Sequence, residues 1–267
     1  MGGRRTTWPR CLLLIAIAGC GRYGYDSVSL RDGQADDGAG DAATAMPCDG
    51  PTDGLIAHWK FDEAVGHEAI DSISGSPAIL EGNVAFRPGA GVVGGAANFP
   101  ANGSVLVTES GAIPLSDFSW LVWFRAADLT NRFLFEIATE TDPTVTTYLH
   151  WASVGDLEFR INAANVFNDL PGFAEGSTWQ HVAITRTGST VTLYRNGEVL
   201  ATVRNGTPID TVPGVCQLRI GSYTSCLTGG GGQEWDGDID DFRVYDRGLT
   251  DREVSELHAA HLGGCVP

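Results

Sequence analysis

The sequence predicts an all-β fold of two antiparallel sheets packed as a sandwich, with one short helix at its C-terminal end. Three observations carry this. Strand-length apolar runs recur between Gly, Asn, Asp and Pro clusters from residue 55 onward. Helical periodicity is almost absent before residue 249. No helical segments separate the runs, as the crossovers of a parallel sheet would require. At 267 residues the chain suits one large all-β domain.

In chain order the runs are LIAHWKF (55–61), SVLVTE (104–109), FSWLVWFRA (118–126), RFLFEIAT (132–139), TTYLHWAS (146–153), DLEFRINA (156–163), WQHVAITR (179–186), TVTLYR (190–195), EVLATV (198–203), CQLRIGS (216–222) and DIDDFRVY (238–245). FSWLVWFRA is bulky at both alternations, so it is expected to be a central strand covered on both faces. Asn196-Gly197 supplies the pair that a type I′ hairpin turn favours, because both positions need positive φ. In LTDREVSELHAAHL (249–262), Thr250 and Glu253 form a capping box, and Val254, Leu257 and His261 line one face. TGGGGQ (228–233) reads as a loop.

The segment before these runs carries an address. MGGRRTTWPR is basic, and CLLLIAIAG is a stretch of nine apolar or small residues, too short for a ~30 Å bilayer core. Residues 1–19 are therefore read as an export signal. Ile17-Ala18-Gly19-Cys20 resembles a bacterial lipobox, which implies that Cys20 is lipidated and becomes the N-terminus. Gly21 follows it in place of Asp, which by resemblance to Gram-negative sorting implies the outer membrane. Residues 20–47, rich in Gly, Ala and Asp, cannot bury enough surface to offset chain entropy and are expected to be a flexible acidic tether. The folded domain is placed at 48–267.

The chain has 17 basic and 33 acidic residues, a net charge of −16. Loss of Arg4, Arg5 and Arg10 with the signal leaves 14 against 33, or −19. That balance argues against nucleic acid and against docking on an anionic membrane, so membrane contact is expected through the lipid alone. Cys11 leaves with the signal, and Cys48, Cys216, Cys226 and Cys265 remain. Four cysteines pair in three ways. Cys216 and Cys226 flank a short loop, and Cys48 and Cys265 flank the domain, so these two pairs are expected. Zinc is the rival, but no CxxC knuckle is present and export favours disulfides.

GLIAHWKFDE (54–63), DSISGSPA (71–78), GGAANF (94–99), FSWLVWFR (118–125), WQHVAITR (179–186), VTLYRNGEV (191–199), LRIGS (218–222) and WDGDIDDFRVYDRGLTDREVSEL (235–257) follow one another in order. Together they resemble the laminin-G-like, concanavalin A-like jelly-roll family, close to its pentraxin branch. The resemblance implies a jelly roll whose last strand, around Ile239 to Tyr245, returns beside the first. It also implies packing roles for Trp235, Ile239, Phe242, Val244 and Tyr245, and a disulfide at Cys216–Cys226.

The same resemblance implies a structural calcium where Asp62, Glu63, Asp71, Ser72, Asp240 and Asp241 meet, with Asp62, Asp241 and Asp71 as the expected side-chain ligands. Calcium needs six to eight oxygens. The loop DSISGSP departs from the family's D-S-S-G-N by an inserted Ile73 and a missing Asn. Solvated acids with local backbone caps are the other reading.

Glu234-Trp235-Asp236-Gly237-Asp238 imitates the E-x-D-x-E of β-glucanases, but the third acid is Asp, and the acids precede the apolar part of the strand. His181 is expected in a core strand, and His258 and His261 are spaced to share a metal or to sit exposed on the helix. Trp151, Tyr148, Tyr223 and Trp235 are the aromatic candidates for stacking on sugar rings. The expected role is non-catalytic recognition of a glycan or a cell-surface protein. The alternatives are a secreted glycoside hydrolase and a structural envelope component.

Overall fold

The computed structural model describes residues 49–263 except 102–103, 108–112, 114–115, 140–146, 154, 163, 208, 210–214 and 224–232. Cys20, Cys48, Cys226 and Cys265, the export signal and the tether up to residue 47 lie outside the described residues, and of Cys216 only the backbone is described.

Among the described residues the chain forms sixteen strands and one helix: β1 (Leu55–Trp59), β2 (Glu68–Ile70), β3 (Pro77–Glu81), β4 (Ala85–Arg87), β5 (Ala96–Pro100), β6 (Ser104–Val107), β7 (Phe118–Asp128), β8 (Arg132–Thr139), β9 (Thr147–Ser153), β10 (Asp156–Ile161), β11 (Ala164–Leu170), β12 (Gln180–Thr187), β13 (Thr190–Arg195), β14 (Glu198–Arg204), β15 (Val215–Ile220), β16 (Asp236–Tyr245) and α1 (Asp251–Gly263). The first sheet runs β14-β13-β12-β7-β16-β5-β4, with β1 also on β16; the second runs β11-β10-β9-β8-β15-β6-β3-β2. Every pairing is antiparallel. The all-β jelly-roll sandwich with a C-terminal helix is therefore the fold.

All eleven predicted runs are strands. The five others, β2 to β5 and β11, are short or lack apolar–polar alternation in their sequence, and β2, β4 and β11 are sheet edges. Their pairing comes from a neighbour, which a single sequence does not display.

β7 is central and covered on both sides, as its composition predicts. Phe118, Trp120, Val122, Phe124 and Ala126 face the core between the sheets, where Trp120 meets Phe135 of β8 edge-on at 5.0 Å. On the other face Leu121 packs with Tyr194, Tyr245, Leu249, Val254 and Leu257 under α1. The helix starts on its capping box: Glu253 N donates to Thr250 Oγ1 (3.2 Å) and Thr250 N to Glu253 Oε2 (2.8 Å). Asn196 and Gly197 have φ of 51° and 78°, the geometry of the β13–β14 turn.

One irregularity positions the acidic chemistry. β16 pairs with β5 over Asp236–Ile239, then with β1 from Phe242 to Tyr245. Between them Asp241 has φ 54°, and the register with β7 shifts between Asp240 and Arg243. At this exchange of partners the ladder is interrupted, and the two acids are released from strict alternation.

Candidate functional site

The exchange point on β16 sorts the expected calcium ligands into separate hydrogen-bond sets. Asp240, fully buried, turns to the glycine loop before β5, where its Oδ2 accepts from Val92 N (2.7 Å) and Val93 N (3.1 Å). Its Oδ1 is buried without a partner among the described residues. Asp62 reaches the same loop and accepts from Gly95 N (2.5 Å). A Cβ on Gly94, whose φ is +74°, would lie 2.1 Å from Asp62 Oδ1, so the close approach depends on glycine there. Burial, and then the charges of Asp241 and Asp62, push the Asp240 carboxyl up to about 8 against the two backbone donors.

Asp241 faces elsewhere. Its Oδ1 is 2.5 Å from His58 Nε2, and both its oxygens accept from Arg243, at 2.8 and 2.9 Å. Burial works to raise this carboxyl, but Arg243 and His58 outweigh it and hold it well below the usual carboxylate range. Arg243 also donates to Asp49 O (2.5 Å), and His261 accepts from Trp123 Nε1 (2.9 Å), so the set ties β1, β7, β16 and α1 together. Asp71 caps its own turn, taking His58 N and Ile73 N on Oδ1 and the Ser74 hydroxyl on Oδ2. The structure thus brings Asp62 to Asp240, and gives Asp241 and Asp71 to separate hydrogen-bond sets. Among the described residues no three His, Cys, Asp or Glu side chains gather as a metal cluster.

The imitation of a β-glucanase strand dissolves in three dimensions. Glu234 precedes β16, and Trp235 is fully buried in the core. Asp238 is 4% exposed and accepts from Arg125 Nε (2.5 Å) and Asn98 Nδ2 (2.8 Å). The alternation that would aim three acids at one substrate is absent because only Asp236 and Asp238 lie on the strand. His181 is buried beside Trp123, as expected, and its ring is held well below its ordinary pKa by burial. His258 stacks flat on Trp123 at 5.1 Å, in place of the exposed or metal-sharing position expected of it, and His261 is buried on the face it shares with Val254 and Leu257, as the helix pattern predicts.

The aromatic candidates also divide. Trp151 and Trp235 are core residues with no exposure, 5.6 Å apart. Tyr148 and Tyr223 stand on the outer face of the second sheet around Phe133, at 5.0 and 4.6 Å. Period-two geometry explains this, since Leu149 and Trp151 point to the core and Tyr148 and His150 point out. Phe133 is buried but belongs to neither hydrophobic core; His150 packs on it at 4.2 Å. A polar rim surrounds the rings. Glu158 lies 3.7 Å from His150 Nδ1, Arg160 lies over Tyr148 at 5.6 Å, and Asn131 Oδ1 meets His150 Nε2 at 3.0 Å. Burial raises both tyrosine pKa values and pushes His150 down to about 4, with Arg160 adding to the latter. Phe133, His150 and the rim were not singled out from the sequence, because nothing local distinguishes an outward aromatic from an inward one.

A family model described as the concanavalin A-like lectin/glucanases superfamily matches residues 99–255. No curated protein matches the chain. Among solved structures, domain 4 of AbnA, a GH43 extracellular arabinanase from Geobacillus stearothermophilus, in complex with arabinotriose, is similar at a TM-score of 0.59 and 19% identity, covering 76% of this chain and 98% of that one. The binding domain of Paraclostridial Mosquitocidal Protein 1 reaches 0.58 at 17%, covering 80% of this chain and 53% of that one. The Ruminococcus gnavus IT-sialidase CBM40 bound to alpha2,3 sialyllactose reaches 0.53 at 15%, covering 65% and 97%. At such identities the likeness is one of fold.

Proposed function

Because the chain belongs to the concanavalin A-like lectin/glucanases superfamily, we propose that it is a non-catalytic glycan-recognition module, anchored through Cys20 to the cell envelope at the outer membrane. One observation carries the glycan reading: the outward cluster of Tyr148, Tyr223 and Phe133, rimmed by Glu158, Arg160 and Asn131. The two partly exposed tyrosine rings, packed on buried Phe133, offer apolar faces to a pyranose, and the rim offers donors and acceptors for its hydroxyls. Domains of this fold bound to arabinotriose and to sialyllactose support the class of ligand without naming it for this chain. The full chain in detergent is expected to bind a subset of a glycan array, and Tyr148→Ala to lower that binding at least tenfold at an unchanged melting temperature. Release of sugar from a polysaccharide panel would turn the reading toward a hydrolase, and a blank array toward a structural envelope component.

The proposal extends to a structural calcium. The residues present fit one, because Asp240 keeps a buried oxygen without a partner among the described residues, beside Asp62 and a glycine loop. Asp62 and Asp240 would hold the ion, with further oxygens from backbone or water. Bound there, it would offset the buried negative charge and fasten the loop at 91–95 to β16. The anchor is tested by Cys20→Ala, which is expected to leave the product soluble or unprocessed. An unmodified mature N-terminus found elsewhere by mass spectrometry would remove it.

A further inference from the structure

On the outer face of the first sheet, and so across the sandwich from the tyrosines, a cleft of about 520 Å³ is lined by Arg87, Asn98, Arg125, Ser177, Asp236 and Asp238 among others. Strand alternation builds it. Phe124 and Ala126 of β7 face the core, so Arg125 faces out; Ile239 of β16 faces the core, so Asp238 faces out beside it. Gly237 lets the strands close here, since a Cβ would lie 2.1 Å from Arg125 O and its φ is +146°.

Asp238 forms the floor. Its Oδ2 takes Arg125 Nε (2.5 Å), its Oδ1 takes Asn98 Nδ2 (2.8 Å), and Arg87 Nη1 lies 3.4 Å away. A single carboxylate thereby positions two guanidinium groups whose side chains remain 51% and 26% exposed. Arg125 is braced further by the Trp179 ring, 4.8 Å beneath it. Its two Nη groups, like the other nitrogens of Arg87, have no partner among the described residues. The carboxylate of Asp236, also lining the cleft, accepts no hydrogen bond from the described residues.

We propose that this cleft binds the carboxylate of an acidic, uronate-type sugar. The guanidinium forks take the carboxylate, and Asp236 and Ser177 take ring hydroxyls. Guanidinium matches a planar carboxylate in a bidentate way that no ammonium reproduces. The acceptor beside the donors separates the ligand classes. A phosphate dianion brings twice the charge of a carboxylate against Asp236 and Asp238, and an acidic peptide side chain brings no hydroxyl for Asp236. The chain's net charge of −16 opposes any anion, but at physiological salt the Debye length is about 8 Å, so distant acids are screened while the arginines are in contact. This site is independent of the tyrosine cluster.

The test is a calorimetric titration of the full chain in detergent with galacturonate, with methyl galactoside, sodium glutamate and inorganic phosphate as comparisons. Galacturonate is expected to bind at least tenfold more tightly than each of these. Arg87→Gln, at a half-exposed position, is expected to weaken galacturonate at least tenfold without moving the melting temperature, and Tyr148→Ala to leave it unchanged. Equal binding of a comparison ligand, absence of galacturonate binding, or an effect of Tyr148→Ala in place of Arg87→Gln would each overturn the proposal.

Discussion

At His150, burial and the Arg160 charge push the imidazole down to about 4, although Glu158 stands 3.7 Å from Nδ1. An unfolded histidine titrates near 6.5, so between the two values the unfolded chain binds more protons. The stability this group contributes is therefore complete above about pH 6.5 and is lost as pH falls toward 4. Between pH 7 and pH 5 the loss is on the order of 1–2 kcal/mol. Urea melts at both pH values are expected to show that difference in the wild type and to lack it in His150→Gln; equal slopes would mean the ring is not held neutral. Asp241 behaves differently, because its partner Arg243 has a side chain only 1% exposed. Asp241→Ala strands that charge and is expected to cost about 3–5 kcal/mol in a denaturant melt, the cost of breaking a buried ion pair from one side. A loss under 1 kcal/mol would show that Arg243 finds another acceptor.

Among the elements, local signals were legible and partner choice was not. The capping box at Thr250 and the turn at Asn196-Gly197 lie within a few residues of chain, and both form as read. The bulky composition of β7 likewise identifies a strand covered on both faces. What the sequence does not show is where β16 exchanges β5 for β1, and that exchange decides which of two adjacent acids meets the glycine loop. Asp62, Asp241 and Asp71 are the side-chain ligands that the resemblance implies, and Asp240 is the acid that shares the glycine loop with Asp62. If calcium binds there, it raises the melting temperature through linkage, and a chelator lowers it. Asp240→Asn is expected to abolish that response and, in chelator, to melt no lower than the wild type, since a neutral amide replaces a buried carboxylate facing two others. A wild type indifferent to calcium would leave the site without a metal.

For the molecule as a whole, the ends of the domain meet at one residue. Asp49 O and His261 Nε2 both lie against the Arg243 guanidinium, at 2.5 and 3.3 Å. The first described residues also run under the helix, where a Cβ on Gly50 would sit 2.4 Å from Leu257 Cδ1. Cys48 is adjacent to Asp49, and Cys265 is four residues beyond His261. A Cys48–Cys265 bridge would therefore close the chain across an approach that packing already makes, while Cys216–Cys226 would close only a short loop. In the chain-entropy model the longer closure restricts the unfolded ensemble more, by about 2.5 kcal/mol. Cys48→Ser with Cys265→Ser is expected to lower stability further than Cys216→Ser with Cys226→Ser, read by urea melts under nonreducing conditions. Because α1 also buries Leu257 and His261 against the sheet, the first pair of substitutions should additionally speed proteolysis at the helix end. Nonreducing peptide maps joining Cys48 to Cys216 or Cys226 would overturn the pairing, and equal stabilities would show that α1 is held by Arg243 and its own packing without the bridge.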